Sequence, residues 1–236
     1  MRVTPGARLF GGTHRLRARA PCGNGYASEL RRRANRAPVG SGGWYHGADT
    51  SASRFSSPMK FCPDCGAGVT LKIPAGDSFP RHVCAACGTI HYSNPKMVIG
   101  CIPEWDSKIL LCKRAIEPRL GYWTPPAGFM ENGETTEEGA LRETLEEANA
   151  RVEIGDLYTM LSVPQVNQVH IFYRARLLDL EFAPGPESLE VALFEEAQIP
   201  WKEIAFRTIS TTLRHYYADR KLGRYGCHSG AILPMK

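Results

Sequence analysis

Four cysteines constrain this chain more than any other feature. Cys62, Cys65, Cys84 and Cys87 form two C-x2-C pairs, each followed by a glycine, Gly66 and Gly88. Two intervening residues let both sulfurs of a pair face one point across a tight turn, and the glycine frees the backbone so that amides can turn toward the sulfurs. Four thiolates in a tetrahedron suit Zn2+ at Zn–S distances of about 2.3 Å, and a set with no open position is structural. Two disulfides or a redox C-x-x-C are the competing readings; the duplicated CxxCG spacing, without a secretory signal, favours zinc. Residues 60–93 hold too little apolar content to fold by packing alone. The metal is therefore expected to stabilise a small zinc ribbon with a short antiparallel hairpin between the pairs.

Charge divides the chain unevenly. The 236 residues carry a formal +5, but residues 1–58 hold ten Arg, no Lys and only Glu29 and Asp49, whereas the remainder is at −3. The acidic balance after Met59 argues against a nucleic-acid path. Residues 1–58 show no helical or strand period and are expected to be a disordered extension. Their Arg-rich, acid-poor composition fits either a transit peptide or read-through from an upstream start, with Met59 at the edge of the first motif. The expected location is cytoplasmic, or plastid or mitochondrion if the extension is a transit peptide. No apolar run approaches the roughly 18 residues of a membrane-spanning helix.

Downstream, Met97–Ile102 and Lys108–Arg114 flank a polar EWDS turn and read as a strand hairpin. Pro125, Pro126 and Gly128 forbid a helix. Thr135 or Thr136 can then cap one running to Ala148. On it Leu141, Leu145 and Ala148 are expected to form the buried stripe, and Glu143, Glu146 and Glu147 an acidic one. Glu146 and Glu147 fall in the last turn, where the macrodipole disfavours anions and like charges four apart repel. A hard divalent cation, Mg2+ or Mn2+, is the simplest compensation; a solvated acidic face is the alternative.

The whole stretch GFMENGETTEEGALRETLEEANA resembles the Nudix box. Gly128, Glu134, Arg142, Glu143, Glu146 and Glu147 fall on its spacing; Thr144, Asn149 and Ala150 depart from it, and Pro125 stands where Leu is more usual. The resemblance implies an α+β fold: a Nudix α/β/α sandwich with a mixed sheet over residues 94–222, preceded by the zinc ribbon at 59–93 and followed by a tail at 223–236. It makes Glu143, Glu146 and Glu147 catalytic magnesium or manganese ligands, with the carbonyl of Ala127 completing the set, and Arg142 with Glu134 an orienting ion pair. Glu190 takes the place of a further ligand or water-activating carboxylate, with Glu187 as the alternative.

The implied activity is hydrolysis of the pyrophosphate bond of a nucleoside diphosphate derivative. The ribbon-plus-box order and the FAPGPESLEVALFEEAQIPWKEIAF stretch resemble the branch acting on FAD and ADP-ribose-type dinucleotides, which includes a plastid FAD pyrophosphatase. An SQPWPFP-like signature of the NADH and NAD-cap branch is lacking, so that activity ranks second, ahead of a non-catalytic zinc-ribbon binding module. Lys113, Arg114 and Arg119 are candidates for phosphate contact, and Tyr122 or Trp123 for stacking on a base or flavin. Dimers are common in the family, which admits a homodimer. Toward the C-terminus, residues 151–164 and 168–180 read as strands, with Ile171, Tyr173, Ala175 and Leu177 on one face, and Phe206–Arg220 as a closing helix. His170, His215 and His228 look incidental.

Overall fold

The computed structural model describes residues 59–234; the disordered extension expected at 1–58 lies outside them. Strands β1 (Val69–Lys72), β2 (Arg81–Cys84) and β3 (Ile90–His91) form a three-stranded antiparallel sheet in that order. The hairpin between the cysteine pairs is therefore present. Within this ribbon only Cys62, Val83 and Cys84 are buried.

The second sheet has eight strands. β4 (Lys96–Trp105) and β5 (Lys108–Arg114) make the expected hairpin through Asp106, whose φ is +50°. Two short strands, β6 (Trp123–Thr124) and β7 (Ala127–Phe129), lie against β5 and β4. β8 (Val152–Val163), β9 (Gln168–Leu177), β10 (Ser188–Phe194) and β11 (His228–Ala231) complete the order β10-β5-β4-β9-β8-β11. The sheet is mixed, because β4 runs parallel to β9 and β11 parallel to β8 while the other pairs are antiparallel.

Strand alternation gives this sheet two apolar faces, and each takes a helix. Ile99, Cys101, Leu110, Cys112, Ile171 and Tyr173 pack with Ala140 and Ala148 of α1 (Thr136–Ala148). Ile102, Ile109, Leu111 and Phe172 pack with Ile209, Leu213, Tyr216 and Tyr217 of α2 (Arg207–Leu222). The result is the α/β/α sandwich. Among the described residues no helix is long and apolar enough to cross a membrane.

Two expectations need correction. α1 does not bury its leucines: Leu141 is 39% and Leu145 53% exposed, while Ala140, Thr144 and Ala148 are buried. Small side chains let the helix axis approach the sheet, and Thr144 fits by donating to Ala140 O at 2.7 Å, with Cys101 Sγ 2.9 Å away. At the C-terminus, 223–236 is not simply a tail. Gly223 closes α2 at φ +66°, and His228–Ala231 then pair with Thr159–Ser162 as an edge strand. HSGA has no apolar alternation to announce it; backbone hydrogen bonds to the open edge of β8 supply the pairing.

Candidate active site

α1 is positioned at both ends. Thr135 caps it with a reciprocal capping box: Glu138 N–H donates to Thr135 Oγ1 at 3.1 Å and Thr135 N–H to Glu138 Oε2 at 2.7 Å. Asn149, at φ +48°, ends it in the left-handed conformation. Its amide donates to Leu145 O, and the 182–187 loop donates Gly185 N–H to Glu147 O and Ala183 N–H to Ala148 O. These amides satisfy the last carbonyls, so the helix keeps Glu146 and Glu147 there without a basic residue in its last turn.

The turn before α1 meets it at Gly128. A Cβ on Gly128 would lie 2.3–2.4 Å from the Glu143 carboxylate, so only glycine lets that carboxylate rest against the strand. Gly139 similarly leaves room for Glu134, whose carboxylate would stand 2.8 Å from an added Cβ. Arg142 is the hub of the site. It holds Glu134 through two hydrogen bonds of 2.8 and 3.0 Å, Glu143 at 2.7 Å, Glu146 at 3.0 Å, and donates to Phe129 O at 3.1 Å. Arg142 and then Glu131 N–H hold the Glu134 carboxyl down at about 2.

Glu147 is different. It is only 6% exposed, accepts from Ala127 N–H at 3.2 Å, and forms no ion pair among the described residues. Burial pushes its carboxyl up to about 8, with Glu143 and Glu187 adding to the rise against Ala127 N–H and Arg114. Burial also raises Glu143, which is 8% exposed, against the pull of Arg142. Glu143, Glu146, Glu147 and Glu187 all line one cleft of about 1200 Å³. An all-oxygen donor set, partly buried, with Arg142 shared among Glu134, Glu143 and Glu146, has the chemistry a hard divalent cation takes.

The cleft gathers some of the expected binding residues and not others. Arg114, Arg119 and Tyr122 line it; Arg119 stacks over Tyr122 at 5.3 Å, and Arg114 Nε donates to Pro118 O at 2.9 Å. Trp123 does not: it is buried, edge-on to Phe194 at 4.9 Å, in the core under α2. The stacking expected of it has no surface to use. Glu190 is also outside the cleft. It faces Lys113 at 3.7 Å, largely exposed. Glu187, the alternative, stands just before β10 and lines the cleft. His170 is not incidental in position: it lines the cleft, with Gln165, Gln168 and Thr208. No spacing signal marked these four residues.

The ribbon cysteines gather as their spacing requires. All four sulfurs lie within 4.8 Å of one another, with Cys62–Cys87 at 3.6 Å and Cys65–Cys84 at 3.5 Å. Sulfurs at the corners of a Zn–S tetrahedron stand about 3.8 Å apart, so the cluster fits zinc with little movement.

Comparison with known proteins agrees with this geometry. A family model described as Nudix N-terminal, a zinc ribbon, matches residues 60–93, and the NUDIX domain model matches residues 95–216. An ADP-ribose pyrophosphatase of Methanocaldococcus jannaschii is 33% identical over 113 residues, 46% of this chain and 67% of the relative. The NAD-capped RNA hydrolase NudC of Stutzerimonas stutzeri is 27% identical over 181 residues, 75% of this chain but 63% of its own length. The crystal structure of a NUDIX hydrolase from Nitrosomonas europaea is 59% identical with a TM-score of 0.72, covering 74% of this chain and 99% of that one. The NUDIX domain model alone spans more than half of the sequence, and the chain belongs to the Nudix hydrolase family, carrying that family's own type of zinc ribbon ahead of the catalytic fold.

Proposed function

We propose that this protein hydrolyses the pyrophosphate bond of a nucleoside diphosphate linked to a second group, FAD or ADP-ribose being the first choices, giving AMP with FMN or ribose 5-phosphate. The observation that carries this reading is Glu147, a carboxylate buried on the cleft wall beside Glu143 with no cation of its own. A structural helix would gain from losing that charge. Glu143, Glu146 and Glu147, with the carbonyl of Ala127, would hold Mg2+ or Mn2+. Such a cation, when bound, neutralises pyrophosphate oxygens and makes water more acidic.

The chain's own groups do the rest. Arg142 orients Glu143 and Glu146 through the bonds described above. Arg114 and Arg119, which line the same cleft, take phosphate oxygens, and Tyr122 offers a ring face to a base or flavin. Glu187, near enough to Glu147 to raise its pKa, is the candidate to accept the proton of the attacking water. Zinc at Cys62, Cys65, Cys84 and Cys87 stabilises the ribbon and takes no part in the chemistry.

Hydrolysis of NADH or of NAD-capped RNA is the second reading, because the S. stutzeri relative that aligns along most of this chain bears that name. The deciding experiment is a product-release assay over FAD, ADP-ribose, NADH, an NAD-capped RNA and nucleoside triphosphates, with Mg2+ and with Mn2+. Turnover of FAD or ADP-ribose well above the others supports the first reading. Preference for NADH or the capped RNA replaces it with the second, and preference for triphosphates removes both.

A further inference from the structure

The cleft does not stop at the carboxylates. Across the large sheet, Phe129, Val98, His170, Leu161 and Gly230 form one row of directly paired residues on β7, β4, β9, β8 and β11. Four inter-strand steps of about 4.8 Å put Gly230 roughly 19 Å from Phe129, the neighbour of the Gly128 cradle. Phe129, Val98, His170 and Ile232 all line the same cleft. The cleft thus runs from the acidic helix to the residue just after the C-terminal strand.

Its two ends differ in chemistry. Glu143, Glu146 and Glu147 enter the cleft from α1, and Arg142 beside them donates to the carbonyl of Phe129, the first residue of the row. The other end offers Gln165, Gln168, His170 and Thr208 beside the apolar Val163 and Ile232, with Arg207 as a charged neighbour donating to Leu233 O. His170 Nε2 lies 3.0 Å from Gln168 Oε1, while its Nδ1 and Thr208 Oγ1 have no hydrogen-bond partner. Buried polar atoms are rarely left so. Burial lowers His170 to about 4, so the ring is neutral and its free nitrogen can accept or donate according to tautomer. Apolar walls with a few neutral polar groups suit a heterocyclic ring with hydrogen-bonding edges, and Arg207 is engaged by the Leu233 carbonyl.

We propose that this remote end is a subsite for the heterocycle-bearing half of the substrate, and that Ile232 on the C-terminal segment is a specificity residue closing it. The proposal rests on the carboxylate end being the hydrolytic centre. The wall is held from α2. Arg207 Nη1 donates to Leu233 O at 2.6 Å, Ile232 N–H to Ser162 O at 2.9 Å, and His228 Nε2 lies 2.8 Å from Asp219 Oδ2. The same Asp219 oxygen accepts from Tyr158 Oη at 3.1 Å and Gly226 N–H at 3.3 Å. His228 is therefore a positioning residue: it touches no substrate but sets where Ile232 stands.

The test is calorimetric binding of AMP, FMN and ribose 5-phosphate, each with Mg2+, to the full chain and to Ile232→Trp and His228→Ala. The indole of Ile232→Trp fills the end of the cleft, so AMP or FMN binds about tenfold more weakly while ribose 5-phosphate changes by less than about twofold. His228→Ala, which leaves the cleft lining intact, weakens the same ligand to a smaller degree, raising KM for the parent dinucleotide without lowering kcat. Unchanged AMP and FMN affinities in both variants would overturn the proposal, as would an equal loss for ribose 5-phosphate. Binding is read without turnover, so absence of hydrolysis in the wild type would count against the proposed activity and not against the subsite.

Discussion

The cysteine cluster and the carboxylate helix each gather ligands of one kind, but their surroundings are opposites. Around the cysteines there is almost no core: Cys62, Val83 and Cys84 are buried, while Phe61, Leu71, Ile73, Phe79 and Tyr92 stand exposed. Around the carboxylates the core is deep, and Ile99, Leu110, Ala140 and Ala148 are wholly buried. In the ribbon, ligand binding has to supply folding energy that packing does not. In the sandwich, the helix that carries the carboxylates is held by packing, and Arg142 holds Glu134, Glu143 and Glu146. The first site depends on its ligands for its fold, and the second depends on its fold for the placing of its carboxylates.

That contrast can be broken most severely at the ribbon. Cys62→Ser should lose its zinc, and amide resonances of residues 60–93 should collapse toward random coil while those of residues 95–216 stay dispersed. Elemental analysis alongside NMR reads both; a variant that retains zinc and its ribbon signals would show that packing holds the ribbon after all.

At the sandwich the expected pattern inverts, with activity lost and fold kept. In Gly128→Ala the added methyl meets the tip of the flexible Glu143 side chain rather than backbone. Displacing that carboxylate by about an ångström should cost roughly 100-fold in kcat/KM, with little change in melting temperature. Equal activity would mean that the cradle does not matter.

A smaller effect is thermodynamic. The carboxyl of Glu147 is raised from 4.5 to about 8, so the folded state favours the protonated acid. Its contribution is present below pH 4.5 and lost as pH rises through about 8. Glu147→Gln has no such loss. In metal-free urea unfolding, its stability advantage over wild type should grow between pH 4.5 and 8. A difference independent of pH would show that Glu147 ionises as freely folded as unfolded.

The least effect is expected outside both sites. Leu145→Gln lies on the exposed face of α1 and should change stability by less than about 0.5 kcal/mol. A large loss on thermal unfolding would reveal a covering surface and sharpen the account of that face.

Motif and architecture were legible in the sequence because they depend on local spacing. The C-x2-C pairs, a cap at Thr135 or Thr136, the alternation of Ile171, Tyr173, Ala175 and Leu177, and the register of Gly128 with Glu143 and Glu147 are all short-range patterns. What was not legible depends on partners distant in the chain. The buried stripe of α1 follows its smallest residues, Ala140, Thr144 and Ala148, because close approach to β4 decides the face, whereas hydrophobicity alone selects Leu141 and Leu145. Glu187 lines the cleft from the turn just before β10, whereas Glu190 lies within the strand opposite Lys113, a placement set by where the strand begins. Trp123 is aromatic and adjacent to Tyr122, yet one points into the core and the other into the cleft. The edge strand at His228–Ala231 is set by the open side of β8, not by its own residues.

The central claim is that α1 is a metal-binding catalytic element held in place without its metal. Glu147→Gln tests it most directly, because glutamine keeps size and helix propensity but removes the charge that a hard cation needs. FAD and ADP-ribose cleavage should be measured at saturating Mg2+, with melting temperature followed with and without the metal. The account predicts that turnover is abolished, that the metal-free melting temperature holds or rises, and that the shift produced by Mg2+ shrinks. A variant that cleaves at near wild-type rate, or one that simply unfolds, would contradict it.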